Sequence, residues 1–506
     1  SDKTEKVHIN NIEKGHKKQK QNLNIDLSEA DLTNDQKEKL RKFVDKNRNV
    51  FATDLSEIGM TDVHFHEIDT GNNPPVSLPP HRAAPNIRTE IERQVEEMLK
   101  YKIIEPSNSI WHSPVCLTRK KDNSWRFCVD YRRVNAFTSP MHATLGNMHD
   151  VFDTMGEMQP QIFSSIDLSS SFWQVPLHPN SKQKAAFVTH SGIYEWNRMP
   201  YGLRNSSIAF SQVMSQILRG LHWKYVLAYI DDILIFSKTF QEHLLHLEEV
   251  FARLRKANFT LKPQKCHFAV KKVNYLGHII SKDGVKVDES KITIVKNYPR
   301  PKNQHEVRQF LGLCNYYRRF VKDYAKITVP LNNLLQKDKE YVWTDKCQIS
   351  FESLQQALTT APVLSYPDMS KQFILTCDAS GSAIGYILGQ LDENGKERVI
   401  SYSGRALRNN ELNWTITEKE CLAVLEGITK NKVYLSHARF KVYTDHQALV
   451  WLHKSKDTNS RLGRWALELQ NYDFEIIYKE GKKNTNADAL SRIPYKEIED
   501  EIHPKL

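Results

Sequence analysis

The stretch Val226-Leu227-Ala228-Tyr229-Ile230-Asp231-Asp232-Ile233-Leu234-Ile235-Phe236 decides how the chain is read. Two short β-branched and aliphatic runs flank an Asp-Asp pair, a pattern that predicts a tight β-hairpin with its carboxylates at the tip. Turn positions with φ > 0 favour Gly or Asn, and adjacent acids repel, so something must offset the charge. An acidic surface turn is one reading. The other is a site for Mg²⁺, a hard cation that takes carboxylate oxygens and keeps its remaining positions for water and phosphate.

A third acid tips the choice. In Phe163-Ser164-Ser165-Ile166-Asp167 an apolar run ends in an acid, as expected of a second strand whose C-terminal end lies beside the hairpin tip. Three carboxylates there could hold two metal ions about 3.5–4 Å apart, a pair that stabilises both the attacking and the leaving oxygen of a phosphoryl transfer. In these residues the sequence resembles the reverse transcriptases, most closely those of Ty3/gypsy-class long-terminal-repeat retrotransposons, and the resemblance runs from about Leu78 to Arg492. It implies an α+β multidomain chain: a right-hand polymerase of fingers, palm and thumb, followed by an RNase H-like α/β domain with a mixed sheet. The expected bounds are a polar arm and short helix at 1–70, fingers and palm at 71–286, a helical thumb at 287–365, ribonuclease H at 366–495 and a tail at 496–506.

Composition agrees without being diagnostic. The 506 residues carry a formal net charge of +11, which points to a polyanionic partner. No apolar run approaches transmembrane length and the N-terminal stretch is polar, so no membrane association is expected. The seven cysteines are scattered, with no CxxC, as expected of reduced thiols in an intracellular protein rather than a disulfide framework or a zinc site. Residues 1 to about 35 read as a disordered arm, and a helix carrying Leu40, Phe43 and Val44 on one face opens at Thr33. In the family a protease precedes this segment, and none is read here.

An amphipathic helix is predicted from Ile87 to Ile104, with Ile91, Val95, Met98 and Leu99 on its buried stripe. Ser113 to Asn135 reads as a β-hairpin with a basic tip, resembling the family's fingers. By that resemblance Arg126 clamps the incoming triphosphate, a task suited to its planar fork, with Lys121 as second cation. Phe172 stands where the family places an aromatic under the sugar, excluding a ribose 2′-hydroxyl. Tyr201 and Gly202 precede a helix spaced Phe210, Val213, Met214, Ile217 and resemble the nucleotide-binding turn, where Gly permits close backbone approach. The chain departs from the family at Met141 to Met148, at Trp173 and at Ser206-Ser207. His243 and His246 are expected on a solvated helix surface. Leu276 and Gly277 resemble the turn that grips the primer end, and either Lys262 or Lys265 is placed to protonate the leaving pyrophosphate.

The thumb helix is predicted from Asn303, capped with Glu306, with Val307, Phe310, Leu311, Cys314 and Tyr317 buried. Arg308, Gly312, Asn315 and Arg319 then share another face, suited to passage along the minor groove of a hybrid. After Pro367 three consecutive strands, then helix and strand in alternation and a final short helix, resemble ribonuclease H. The acids agree: Asp378 ends the first strand, Glu420 lies in the first helix, Asp445 ends the fourth strand, and Asp488 lies near the end. Four such carboxylates make a second two-metal site, here activating water to cut RNA.

The resemblance therefore implies an RNA- and DNA-templated DNA polymerase with a ribonuclease H. All seven acids would act as catalytic metal ligands, holding two Mg²⁺ or Mn²⁺ ions per site. Its partners would be an RNA template, a DNA primer, their hybrid and deoxynucleoside triphosphates, in the cytoplasm inside a virus-like particle. Monomer and homodimer both stay open. A catalytically dead nucleic-acid-binding homologue would have lost an acid, and none is missing from the sequence. An RNA-templated RNA polymerase would carry a small or polar residue in place of Phe172.

Overall fold

Four antiparallel strands carry the first acids. In spatial order they are Val226–Tyr229, Asp232–Ser237, Ile162–Asp167 and His267–Val270. Alternate side chains leave a strand on opposite faces. Ile233 and Ile235 accordingly join one core, with the helices Ser206–Ile217 and Phe240–Lys256, while Leu234 and Phe236 join another, with Phe163, Val307 and Phe310. Burial on both faces is why this segment is apolar throughout rather than alternating. The computed structural model describes residues 23, 25–120, 123–142, 146–337, 340–436, 438–454 and 460–479. Lys121, Asp488 and the expected final helix lie outside the described residues.

The first core also holds a five-stranded sheet built from Ile104–Pro106, Gly192–Trp196, Phe187–Thr189, Ser113–Arg119 and Trp125–Val129. The helix expected from Ile87 to Ile104 spans Pro85–Lys100 instead. Proline starts it, and Lys102 takes a φ of 54° so that Ile104 can enter the sheet opposite Trp196. The polar arm is also shorter than expected. Leu27 and Ala30 are buried, and Ala30 bridges Val270 at the edge of the acid-bearing sheet. The alternation Leu23, Ile25, Leu27 is that of an edge segment, hidden in the sequence by the polar residues between.

A three-stranded meander of Lys272–Tyr275, His278–Ser281 and Gly284–Val287 leads into the helices Glu289–Lys296, Gln304–Tyr316, Tyr324–Asn333 and Asp345–Thr359. The last sheet has the order Glu397–Ala406, Ala383–Leu391, Phe373–Ala379, Phe440–Thr444, Phe474–Tyr478, antiparallel among the first three and parallel across the last three. The helix Ile416–Lys430 packs on it so closely that a Cβ on Gly427 would stand 3.1 Å from Leu375. This is the strand and helix order expected. Among the described residues no helix is long and apolar enough to cross a membrane, and every described cysteine is a free thiol.

His243 is not on a solvated surface. It is fully buried, its ring nitrogens bonded to the Ser164 and Ser237 hydroxyls at 2.6 and 2.8 Å. Ser237 also bonds His246, whose ring stacks on Tyr225 at 3.8 Å. Both histidines thus share the Ser237 hydroxyl of the strand just before their helix, and His243 also takes that of Ser164 from a distant strand. Burial holds the His243 imidazole uncharged by pushing its pKa down to about 3.

Phe310 is fully buried, 5.1 Å from Tyr298 and 4.7 Å from Phe351 between ring centroids. Phe310→Ala should cost about 3–5 kcal/mol by leaving a cavity in the second core. A lowered urea midpoint for unfolding of that region checks this, and an unchanged midpoint would show that the core collapses around the gap.

Candidate active sites

At the hairpin tip Tyr229 pairs with Asp232, so Ile230 and Asp231 form a two-residue loop. Ile230 takes a φ of 55°, a left-handed conformation that a β-branched residue adopts only under constraint from its surroundings. The loop aims Asp231 back over Ser171, whose hydroxyl donates to Asp231 Oδ2 at 3.3 Å. The neighbouring ladder sets Asp167 directly opposite Asp232. Three acids from three sequence positions are therefore gathered at one end of one sheet.

Their charges show how the gathering is tolerated. Desolvation, reinforced by the charges of Asp231 and Asp167, raises the Asp232 carboxyl to about 6. Burial likewise pushes the Asp167 carboxyl up, against the pull of Lys265, whose Nζ stands 3.0 Å from Asp167 Oδ2. Of the two lysines singled out in the sequence, Lys265 reaches the acids with its side chain, while Lys262 donates its backbone N–H to the Asp167 carbonyl. Among the described residues these three carboxylates do not form a close three-ligand group.

Around this tip stand the expected nucleotide contacts. The Phe172 ring is half-buried, 4.9 Å from Tyr201 and 5.4 Å from Phe210. Burial raises the Tyr201 phenol, opposed by a hydrogen bond from Ser171 and by the positive charge of Arg126. Gly202 takes a φ of 94°, which favours glycine, and its carbonyl accepts from Asn135. Arg204 is spent on the Asn135 and Thr138 carbonyls.

Leu276 and Gly277 occupy a tight turn with φ of 50° and 76°, the positive pair of a type I′ hairpin. Their carbonyls accept from the Tyr316 and Tyr317 hydroxyls, both at 2.9 Å. A Cβ at Gly277 would come within 2.7 Å of the Tyr317 hydroxyl. These two tyrosines were missed as site residues, because the sequence marks them only as the end of a helix.

Arg308, Gly312 and Asn315 are exposed together on the helix Gln304–Tyr316, and nothing lies within 4 Å of a Cβ at Gly312. Arg319 does not join them. The helix stops at Tyr316 and the next turn, Arg318–Phe320, swings Arg319 inward. There its guanidinium sits 4.2 Å over Phe152 and donates to the Ile400 carbonyl at 3.3 Å. The helical projection failed because it assumed one more turn.

The second site lies in the last sheet. Asp378 from strand Phe373–Ala379, Glu420 from helix Ile416–Lys430 and Asp445, just past strand Phe440–Thr444, each offer an oxygen within 4.8 Å of the others. Glu420 is buried. One of its oxygens accepts from the Ala379 N–H at 3.1 Å and the other, Oε2, has no hydrogen-bond partner. Burial, then the charges of Asp378 and Asp445, lifts the Glu420 carboxyl to about 8. Burial, then Asp323 and Asp445, lifts Asp378 to about 6. An orphaned buried carboxylate oxygen and an all-oxygen donor set fit a hard divalent cation.

Residues 118–280 match the family model described as "Reverse transcriptase (RNA-dependent DNA polymerase)", and residues 368–472 that described as "RNase H-like domain found in reverse transcriptase". The chain is 39% identical over 466 residues to the Retrovirus-related Pol polyprotein from transposon 297 of Drosophila melanogaster, covering 91% of this chain and 43% of that protein. It is 35% identical over 405 residues to the Transposon Tf2-3 polyprotein of Schizosaccharomyces pombe, covering 79% and 30%. The chain thus spans less than half the length of these relatives. In fold it is similar to the foamy viral protease-reverse transcriptase in complex with dsDNA, at a TM-score of 0.77, 24% identity and coverage of 90% and 96%. The same viral protein in complex with an RNA/DNA hybrid gives 0.71, 24% identity, and 95% and 64%. With both domain models matched in this order, and Pol relatives aligned along most of its length, the chain belongs to the reverse transcriptase family of Ty3/gypsy-type retrotransposon Pol proteins.

Proposed function

We propose that this chain copies RNA and DNA templates into DNA and degrades the RNA strand of the resulting hybrid, for replication of a retrotransposon. The observation that carries the reading is the presence of two separate carboxylate groups, each gathered at one end of a sheet of its own. On this reading 71–286 are fingers and palm, 287–365 the thumb and 366–495 the ribonuclease H, working in the cytoplasm within a virus-like particle.

Two Mg²⁺ or Mn²⁺ ions per site would neutralise phosphate charge and lower the pKa of the attacking oxygen. Asp167, Asp231 and Asp232 would hold them in the palm; Asp378, Glu420, Asp445 and Asp488 in the second site. Arg126, with Lys121, binds the triphosphate of an incoming deoxynucleotide. The Phe172 face, steadied by Tyr201 and Phe210, supports the sugar and leaves no room for a 2′-hydroxyl, while Gly202 lets the backbone approach. The Leu276-Gly277 turn, fixed by the Tyr316 and Tyr317 hydroxyls, positions the primer end. Arg308, Gly312 and Asn315 follow the minor groove. Nucleic-acid duplexes fit the +11 charge, and the two viral structures of similar fold are described as complexes with such duplexes.

Asp231→Asn should abolish primer extension and spare hybrid cleavage, and Asp445→Asn the reverse, each by about 10³-fold or more if the carboxylates hold the ions. Gel assays of both activities check this, and loss of both in either variant would contradict separate sites. Phe172→Ala should raise ribonucleotide incorporation relative to deoxynucleotide by about tenfold or more, since the ring alone blocks the 2′-hydroxyl. An unchanged ratio would remove Phe172 from that role. The third expectation concerns pH. Glu420, raised to about 8, holds a proton at neutral pH that a cation must displace, and Asp378, raised to about 6, holds one only toward the acid end of that range. Divalent-ion affinity at this site should therefore rise from pH 6 to pH 8 with proton release, seen by calorimetry in buffers of different ionisation enthalpy. PH-independent binding would contradict the raised carboxyls.

A further inference from the structure

Residues of the thumb reach the second acid site. Lys322 and Asp323, from the thumb, line the same cavity as Asp378 and Asp445, together with Tyr386 and Tyr402. The cavity measures about 210 Å³, below the ~300–1,000 Å³ of pockets that take one small molecule. Asp378 and Asp445 are exposed, so water and ions reach them, while Lys322 and Asp323 narrow the approach from the thumb side.

Asp323 is held there by its backbone. It takes a left-handed φ of 55° at the start of helix Tyr324–Asn333 and gives that helix no side-chain cap. Its side chain instead reaches the strand Ala383–Leu391, with Oδ1 3.4 Å from where a Cβ would stand on Gly385. Gly385 is the residue directly opposite Asp378 in the ladder.

The junction behind this contact is polar and incompletely satisfied. The Tyr434 hydroxyl donates to Asp153 Oδ1 at 2.7 Å, joining the last domain to the palm. Arg319 bridges Phe152 and the Ile400 carbonyl, yet its Nε is buried without a hydrogen-bond partner. Buried groups left unpaired lower the cost of separation, and polar inter-domain surfaces of this kind open readily.

We propose that the structure is a closed, autoinhibited arrangement, in which thumb residues Lys322 and Asp323 cover the ribonuclease-H-like acids until the thumb and the last domain part. The inference rests on the reading of that site as RNA-cleaving. A duplex bound along the thumb shifts the population to the open arrangement, because only that form admits it.

A full-length Asp323→Cys/Gly385→Cys variant tests this, since Asp323 Oδ1 lies 3.4 Å from the position of a Cβ on Gly385. In the oxidised, cross-linked protein, cleavage of an RNA/DNA hybrid should fall about tenfold or more and return on reduction. Adding hybrid beforehand should slow the cross-linking. A cross-linked protein that cleaves as fast as its reduced form, or a free protein that forms no cross-link, overturns the proposal. Tyr434→Phe works in the opposite direction, so misfolding cannot mimic its effect. Loss of one fastening hydrogen bond should raise cleavage about twofold or more, and an unchanged or lower rate overturns the proposal. Should the reduced and wild-type proteins cleave no hybrid at all, the RNA-cleaving reading fails. The effect of hybrid on cross-linking then decides the closed arrangement by itself.

Discussion

Carboxylates repel one another, and in this chain strand pairing forces them together all the same. The ladder that sets Asp167 opposite Asp232, and the loop that strains Ile230 to present Asp231, are fixed by burial on both faces of a four-stranded sheet. The second site repeats the device with two parallel strands and a packed helix, where Glu420 is buried with an unpaired oxygen. In both places the fold holds negative charge at a cost that a divalent cation and a phosphate ester can offset. That constraint explains why the acids lie at or beside the ends of paired strands, or on a helix packed against them, where the neighbouring ladder keeps them from relaxing apart.

The same rigidity extends outward. Leu234 and Phe236 place the polymerase-like acids on the core that also holds the thumb helix Gln304–Tyr316. Tyr316 and Tyr317, at the end of that helix, fasten the Leu276-Gly277 turn. Arg319, one turn on, fastens the last domain to Phe152 of the palm. A movement of that helix is thereby linked both to the Leu276-Gly277 turn and to the junction with the last sheet.

Much of this was legible in the sequence, for local reasons. The Asp-Asp hairpin, the helix Ser206–Ile217 and the succession of strands and helices in the last domain follow from short-range periodicity, which tertiary contacts here reinforce. The misses share a different cause. His243 looked solvated because its Ser164 partner lies 79 residues away. Arg319 looked exposed because a helix end cannot be fixed from spacing alone. Leu27 and Ala30 looked disordered because an edge segment borrows its stability from a sheet formed by residues far along the chain. Asp323 carried no signal, since its neighbour Gly385 is close only after two domains dock.

The most direct test of the account is primer extension by the wild-type chain with deoxynucleotides and Mg²⁺ on an end-labelled RNA template, following DNA growth and RNA shortening in one tube. Both should appear together, with cleavage trailing synthesis. Tight hybrid binding with neither reaction would contradict the claim that the two carboxylate groups are working metal sites.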